Sequence, residues 1–296
     1  MIEEIKYSLQ NIKHRKLRSF LTMLSIMIGI TAIYAIMSFG MGINNYVNEL
    51  AQEMGTDKLW ISPKSAGVPG MDDNFYLTEE DMDFVSKING VDKISAWYIG
   101  VAEVEHRDER KYNFLAGLNP EDSEFVEELA TIEVISGRRL KKGDLKKAVL
   151  GYNYMEEDKI FRRRVRLGDK IEINEEKFEV VGFYSEVGNP QDDGNIYLTM
   201  EGYESLYPDQ EGKYGALMLS SAGGVDPRDL AEKIEDKLRK FKDQEEGKED
   251  FFVQSFEDVI ETFGAIFSVI VGVLILVALV SVVVASVNIM NTMYTA

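Results

Sequence analysis

The chain has 296 residues, 33 Lys and Arg against 51 Asp and Glu, a net charge of −18 and no cysteine. That balance repels nucleic acid and anionic lipid headgroups at long range, and the absence of cysteine excludes a disulfide-stapled scaffold. Yet residues 19–48 and 262–296, runs of 30 and 35, contain no Asp, Glu, Lys or Arg at all, and a bilayer core roughly 30 Å thick needs only about 20 apolar residues of helix.

Residues 1–18 place Ile2, Ile5, Leu9 and Ile12 at spacings of 3, 4 and 3, with Lys6, Lys13 and Lys16 elsewhere. This is the pattern of an amphipathic helix on a membrane surface, or of a cytosolic extension of the first span. The segment carries five Lys and Arg against Glu3 and Glu4, 5 − 2 = +3, leaving −18 − 3 = −21 for the rest of the chain. Short basic flanks stay cytoplasmic. Lys13, Arg15, Lys16 and Arg18 thus form a collar that sets the N-terminus inside and the acidic block Asn44–Asp258 outside. A signal peptide would have an apolar region of about 7–15 residues and a small-x-small cleavage site. Here apolar character persists from Phe20 to Met41, and Ala32 and Ala35 are three apart. The spacing predicts an uncleaved transmembrane helix over 19–42.

The soluble block alternates strand and helix signals. DKLWISP (57–63) predicts a strand ended by proline. LTEEDMDFVSKINGV (77–91) predicts a helix capped by Thr78 with Asp81 three residues on, an inward face of Met82, Val85 and Ile88, and a stop at Gly90. VAEVEHRDERKYNFLAGL reads as a hairpin turning at His106–Glu109, and DKIEINEEKFEVVGFY as another turning at Asn174–Glu175. YGALMLSS is a strand, DPRDLAEKIEDKLRKF (226–241) a helix capped by Asp226 with Pro227 in its first turn, and DFFVQS a strand. Two strand–helix–strand units, about 57–102 and 214–255, therefore bracket a mainly-β stretch over about 134–207. Ser255 caps the helix that becomes the second span, over 259–290.

Small residues four apart let helices approach closely in lipid. The first span offers Ser25-x-x-x-Gly29 and Ser38-x-x-x-Gly42, the second Gly264-x-x-x-Ser268-x-x-x-Gly272 and Ser281-x-x-x-Ala285. Ser25, Gly29, Gly264, Ser268 and Gly272 are the expected packing positions. Neither span holds an ionisable side chain beyond the phenols of Tyr34 and Tyr294, which argues against an ion-coupled pathway through them.

Catalytic signals are weak. The two histidines are His14 and His106, so a nucleophile–His–acid centre outside the membrane would have to use His106. A zinc site has no cysteine to draw on. No G-x-x-x-x-G-K-[ST] occurs, so the chain carries no ATP-binding loop of its own. NPQDDGN (189–195) offers Asp192, Asp193 and Asn195, without the spacing and distant Glu of a calcium loop, and fits an ordinary turn. KIFRRRVR (159–166) is the basic cluster of the acidic block. It reads as a solvated face balanced by Glu156, Glu157 and Asp158, with a partner site as the alternative.

Three segments stand in a telling order: SLQNIKHRKLRSFLTMLSIMIGI at the start, ISGRRLKKGDLKKAVLG followed by RLGDKIEINEEKFEVVGFY, and VNIMNTMYTA at the end. Together they resemble the permease subunit of MacB-type ABC transporters, a family that includes lipoprotein-releasing permeases. Ser25 stands where that family usually has Gly. The resemblance implies an α/β (α+β) extracytoplasmic domain flanked by two transmembrane helices. Its porter-like lobe would span about 57–133 and 213–256, and an inserted, mainly-β Sabre-like lobe about 134–212. It implies a homodimer or heterodimer of permease subunits in the cell membrane, moved by a cytoplasmic ABC ATPase that holds the ATP and Mg. Cofactors in this chain would be none. An extracytoplasmic substrate or adaptor protein and membrane lipid would be its other partners. The family's cytoplasmic Glu-Arg-x-x-Glu-Ile-Gly coupling segment and two later helices would lie past Ala296, in a chain longer than this one. The rival reading of the layout is a two-span receptor with an outer ligand-binding domain, which a coiled-coil continuation would mark.

Overall fold

A computed structural model of the chain describes residues 16–54, 57–64 and 75–294. In chain order it contains α1 (Lys16–Met54), β1 (Lys58–Pro63), α2 (Glu79–Ser86), β2 (Val91–His106), β3 (Glu109–Leu118), α3 (Ser123–Ala130), β4 (Val134–Gly137) and β5 (Lys147–Leu150). These are followed by β6 (Lys170–Ile173), β7 (Glu176–Tyr184), β8 (Ile196–Thr199), α4 (Met200–Leu206), β9 (Ala216–Ser221), α5 (Pro227–Phe241), β10 (Phe251–Ser255) and α6 (Phe256–Tyr294). The described residues fall into two compact units, a helical one from 16–50 with 260–294 and an α/β one within 51–259.

Local chemistry starts and stops the helices of the α/β unit. Thr78 Oγ1 accepts the Asp81 amide at 3.2 Å while the Asp81 carboxylate accepts the Thr78 amide at 2.9 Å, a capping box that satisfies two orphan donors of α2. Gly90, at φ +113°, makes the turn from α2 into β2 that a side chain would strain. Asp226 accepts the Arg228 amide at 2.8 Å ahead of Pro227, and α5 buries Leu230, Ile234 and Leu238 along one stripe.

Ten strands form one sheet among the described residues, in the order β10-β1-β9-β2-β3-β8-β5-β7-β4, with β6 bridging β2 and β7. The two expected strand–helix–strand units are present, and they interleave. Their four strands lie β10-β1-β9-β2, every neighbour antiparallel. This is the split β-α-β arrangement, in which each unit supplies one central and one outer strand. Period-2 alternation then sorts the two faces. Leu59, Ile61, Leu217 and Leu219 pack under α2 and α5, while Met218, Trp97 and Leu118 pack under α3. Phe84 and Phe241 stack at 4.3 Å where α2 meets α5.

The mainly-β stretch is spliced into the same sheet. β2 is 16 residues long and serves both parts. Its first half pairs with β9, and its second half with β3 and β6. A column of tyrosines fastens the joint. Tyr98 of β2 stacks on Tyr203 of α4 at 4.8 Å, and Tyr203 packs on Tyr207 at 4.9 Å. The Tyr98 hydroxyl donates to Glu204 at 2.6 Å and accepts the Gly212 amide at 2.8 Å. Tyr207 donates to the Val101 carbonyl at 3.0 Å and accepts from the Asn174 amide group at 2.7 Å. The rings lie close on the sheet because Gly117 leaves room: a Cβ there would sit 2.7 Å from Tyr203 Cβ and 3.0 Å from Tyr98 Cβ. Gly117→Ala should therefore lower unfolding free energy by about 1–3 kcal/mol through overpacking. Gly223→Ala, where a Cβ meets nothing within 4 Å, should change little. Guanidinium unfolding in detergent compares the two.

Candidate functional site: the strand pair that carries the two long helices

The chain comes into the α/β unit just ahead of β1 and leaves it just after β10. These strands are antiparallel neighbours, with Leu59 paired to Ser255. Lys58 pairs with Ser220, and the Ser221 amide donates to the Asp57 carbonyl at 2.8 Å, so arrival and departure share one end of the sheet.

Each point is clamped. At the first, Lys58 has only 4 % of its side chain exposed. Its ammonium donates to Asp57 at 2.9 Å and to Glu128 of α3 at 2.6 Å, and lies 5.9 Å from the centre of the Phe125 ring. Burial opposes the charge, but the Glu128 and Asp57 carboxylates outweigh it and hold the amine above the ordinary lysine value. At the second, β10 ends at Ser255 and α6 begins at Phe256, with no linker. Ser255 Oγ accepts the Asp258 amide at 3.0 Å and donates to the Asp258 carboxylate at 2.5 Å. Arg228, in the first turn of α5, lies 3.2 Å from Asp258 and 3.5 Å from Glu257. Acidic side chains in a first turn also suit the positive end of the helix dipole.

In the helical unit, α1 and α6 are each 39 residues long and unbroken. Among the described residues one stretch, Phe256–Val284, is long and apolar enough to cross a membrane; the apolar run described in α1, Ile30–Ile43, is shorter. The two helices approach each other at Gly40, where a Cβ would lie 2.9 Å from Val271 Cγ2. Gly264 and Ser268 line a cavity of about 210 Å³ together with Met37, Gly40, Phe267 and Val271. A Cβ on Gly264 or Gly272 would meet nothing within 4 Å. Ser25 and Gly29 lie within α1, and Lys16 and Arg18 in its first turn, but their side chains are outside what is described, as are Lys13 and Arg15 altogether. Gly40 was not among the expected packing positions; its signal is the pair Gly40 and Gly42 late in an apolar run.

The remaining candidates are structural. His106 is buried against Phe161, ring centres 5.5 Å apart, with Asp169 at 3.7 Å. Burial, then the Arg107 charge, lowers its pKa, so it is neutral near pH 7. Asp193 accepts the Val187 amide at 2.7 Å and the Gly188 amide at 3.1 Å, the bonds of a turn. Among the described residues no group of three His, Cys, Asp or Glu is placed to hold a metal.

The family model described as the MacB-like periplasmic core domain matches residues 19–237. The chain belongs to this family. It is a membrane protein with an extracytoplasmic domain. An ABC transporter permease of Methanocaldococcus jannaschii is 32 % identical over 291 residues, covering 98 % of this chain and 70 % of that one. The permease YvrN of Bacillus subtilis is 31 % identical over 204 residues, 63 % of this chain. The chain spans about half of YvrN's length, 47 %. The crystallised periplasmic region of MacB from Actinobacillus actinomycetemcomitans superposes with a TM-score of 0.57 at 16 % identity, over 74 % of this chain and 97 % of that one, and so shares its fold.

Lys58→Met should cost about 1–3 kcal/mol, since Asp57 and Glu128 keep solvent after losing their partner. The wild-type contribution is complete below the ordinary lysine value of 10.5 and is lost as pH rises through the raised folded-state value. The gap between the two proteins should then narrow above pH 10.5 in thermal melts.

Proposed function

We propose that the chain is the permease subunit of an ABC transporter in which ATP hydrolysis by a partner ATPase moves the extracytoplasmic domain. The observation that carries this is the junction at Ser255, where the last strand becomes a long apolar helix beside the strand that follows the other long helix. A tilt of either helix would pass into the sheet through paired strands. The reading assigns no chemistry to the chain itself: ATP and Mg belong to the partner, and two permease subunits pack against each other through their transmembrane helices. Family membership and the permease names of the relatives support it over a two-span receptor.

Since the chain has no cysteine, a single introduced one is a unique label. A spin label at Lys237→Cys, on the exposed side of α5, should report an ATP-dependent distance change between two subunits reconstituted with their ATPase. A Gly-Gly-Ser insertion between Ser255 and Phe256 should abolish that change while ATP hydrolysis continues. A wild-type distance that ignores ATP would overturn the proposal. Reversing the charges of Lys13, Arg15, Lys16 and Arg18 should misorient the chain, read by labelling an N-terminal cysteine from outside intact cells; an unchanged pattern removes the collar's role.

A further inference from the structure

Loop 156–169 does not behave as its sequence suggests. Lys159, Arg162, Arg163, Arg164 and Arg166 are all exposed. Among the described residues none of the four guanidinium groups has a carboxylate partner, and none meets Glu156, Glu157 or Asp158. The expected local balance is therefore absent. Three arginines elsewhere in the domain are paired: Arg110 with Glu105 at 2.7 Å, Arg138 with Asp144 at 2.6 Å, Arg139 with Glu127 at 2.6 Å. In a chain with 51 carboxylates, shortage is not the reason.

The reason lies in what the nearest acids do. Glu109 accepts the backbone amide of Arg162 at 3.2 Å, and Asp169 accepts that of Arg166 at 3.0 Å. Both hold the loop's main chain. Phe161 and Val165 are 3 % and 2 % exposed and anchor it from within, and the Val165 amide donates to the Tyr154 carbonyl at 2.8 Å. The backbone is thus fixed while the guanidinium groups face solvent, which lowers the ordering cost of binding.

We propose that this loop is a docking surface for an acidic segment of a second protein. Guanidinium forks pair with carboxylates two bonds at a time, and arginine is enriched at the centres of protein interfaces. Leu167, 45 % exposed beside Arg166 and lying over Gly137, adds an apolar contact that a simple polyanion would not use. The loop lies at the opposite end of β2 from the strand pairing at Asp57. The loop packs on the His106 end of β2, and β2 runs 16 residues from Val91, whose partner Ser221 is bonded to Asp57. At about 3.3 Å per residue, that is roughly 50 Å along the strand from where the chain joins its helices. Without these five cations the chain would carry −18 − 5 = −23, so an acidic partner is repelled elsewhere and held to one orientation.

The test uses the whole chain in detergent and a fluorescein-labelled peptide of repeating Glu-Glu-Leu, read by anisotropy. Binding should weaken with salt and fall about tenfold or more in Arg162→Gln/Arg163→Gln/Arg164→Gln/Arg166→Gln, but not in Lys237→Gln/Lys240→Gln. Leu167→Ser should weaken it by about threefold without altering the salt dependence. If the fourfold variant does not fold by circular dichroism, Arg163→Gln/Arg164→Gln replaces it, with a loss of about threefold expected. Undiminished binding by the substituted chain, no binding by the wild type, or tighter binding of polyphosphate or phosphatidylglycerol vesicles than of the peptide would each overturn the proposal. The assay needs no ATPase, so its result is separate from the permease reading.

Discussion

The pairing of β1 with β10 closes the α/β unit, and every other feature is arranged around it. Leu59 and Ser255 are 255 − 59 = 196 positions apart in sequence and directly opposed in the sheet. Because β1 also pairs with β9, removing β10 would leave a central strand with a bare edge, and removing β1 would separate β10 from the rest of the sheet. Such a non-local contact repays its closure entropy only if much is fixed by it. What it fixes here is the spacing of the chain's two passages out of the domain, with Lys58 and Ser255 as their clamps.

From that end β2 acts as a spine. Its first half belongs to the interleaved four-stranded platform, its middle carries the tyrosine column, and its far end supports the hairpin and the arginine loop. Buried phenols explain why the joint is tight. Burial raises the pKa of Tyr98 and Tyr203 well above the ordinary phenol value, so both stay neutral donors across the physiological range. Each finds an acceptor, and the stacking adds area that Gly100 and Gly117 make accessible.

Locally encoded features were legible. The Thr78–Asp81 box, Asp226 before Pro227, and the turns at His106–Glu109 and Asn174–Glu175 each depend on residues within a few positions of one another. Features that depend on distant residues were not. The two strand–helix–strand units are visible in order, but their interleaving is a property of pairing between β1, β9 and β10. Lys58 reads as a strand-edge charge until Glu128, 70 positions away, is seen to meet it. Small residues four apart recur along both apolar runs, and only the partner helix selects Gly40, which fits under Val271. The arginine loop misleads for the opposite reason: its neighbouring acids in sequence form no ion pair with its guanidinium groups.

The two ends of β2 differ in what some of their acids hold. At the helix end, carboxylates are spent on side chains, Asp57 and Glu128 on Lys58, and Asp258 on Arg228. At the far end, Glu109 and Asp169 are spent on backbone amides, and the cations beside them are left open to solvent. A charge that is already paired locks geometry, while an unpaired one on a fixed backbone is available to a partner. On the permease reading, motion delivered at the first end would reach the second through a 16-residue strand hydrogen-bonded to β9, β3 and β6. A strand held along its length resists bending, so displacement at one end emerges at the other as displacement. A partner docked on the arginine loop would then be moved as a body with the domain.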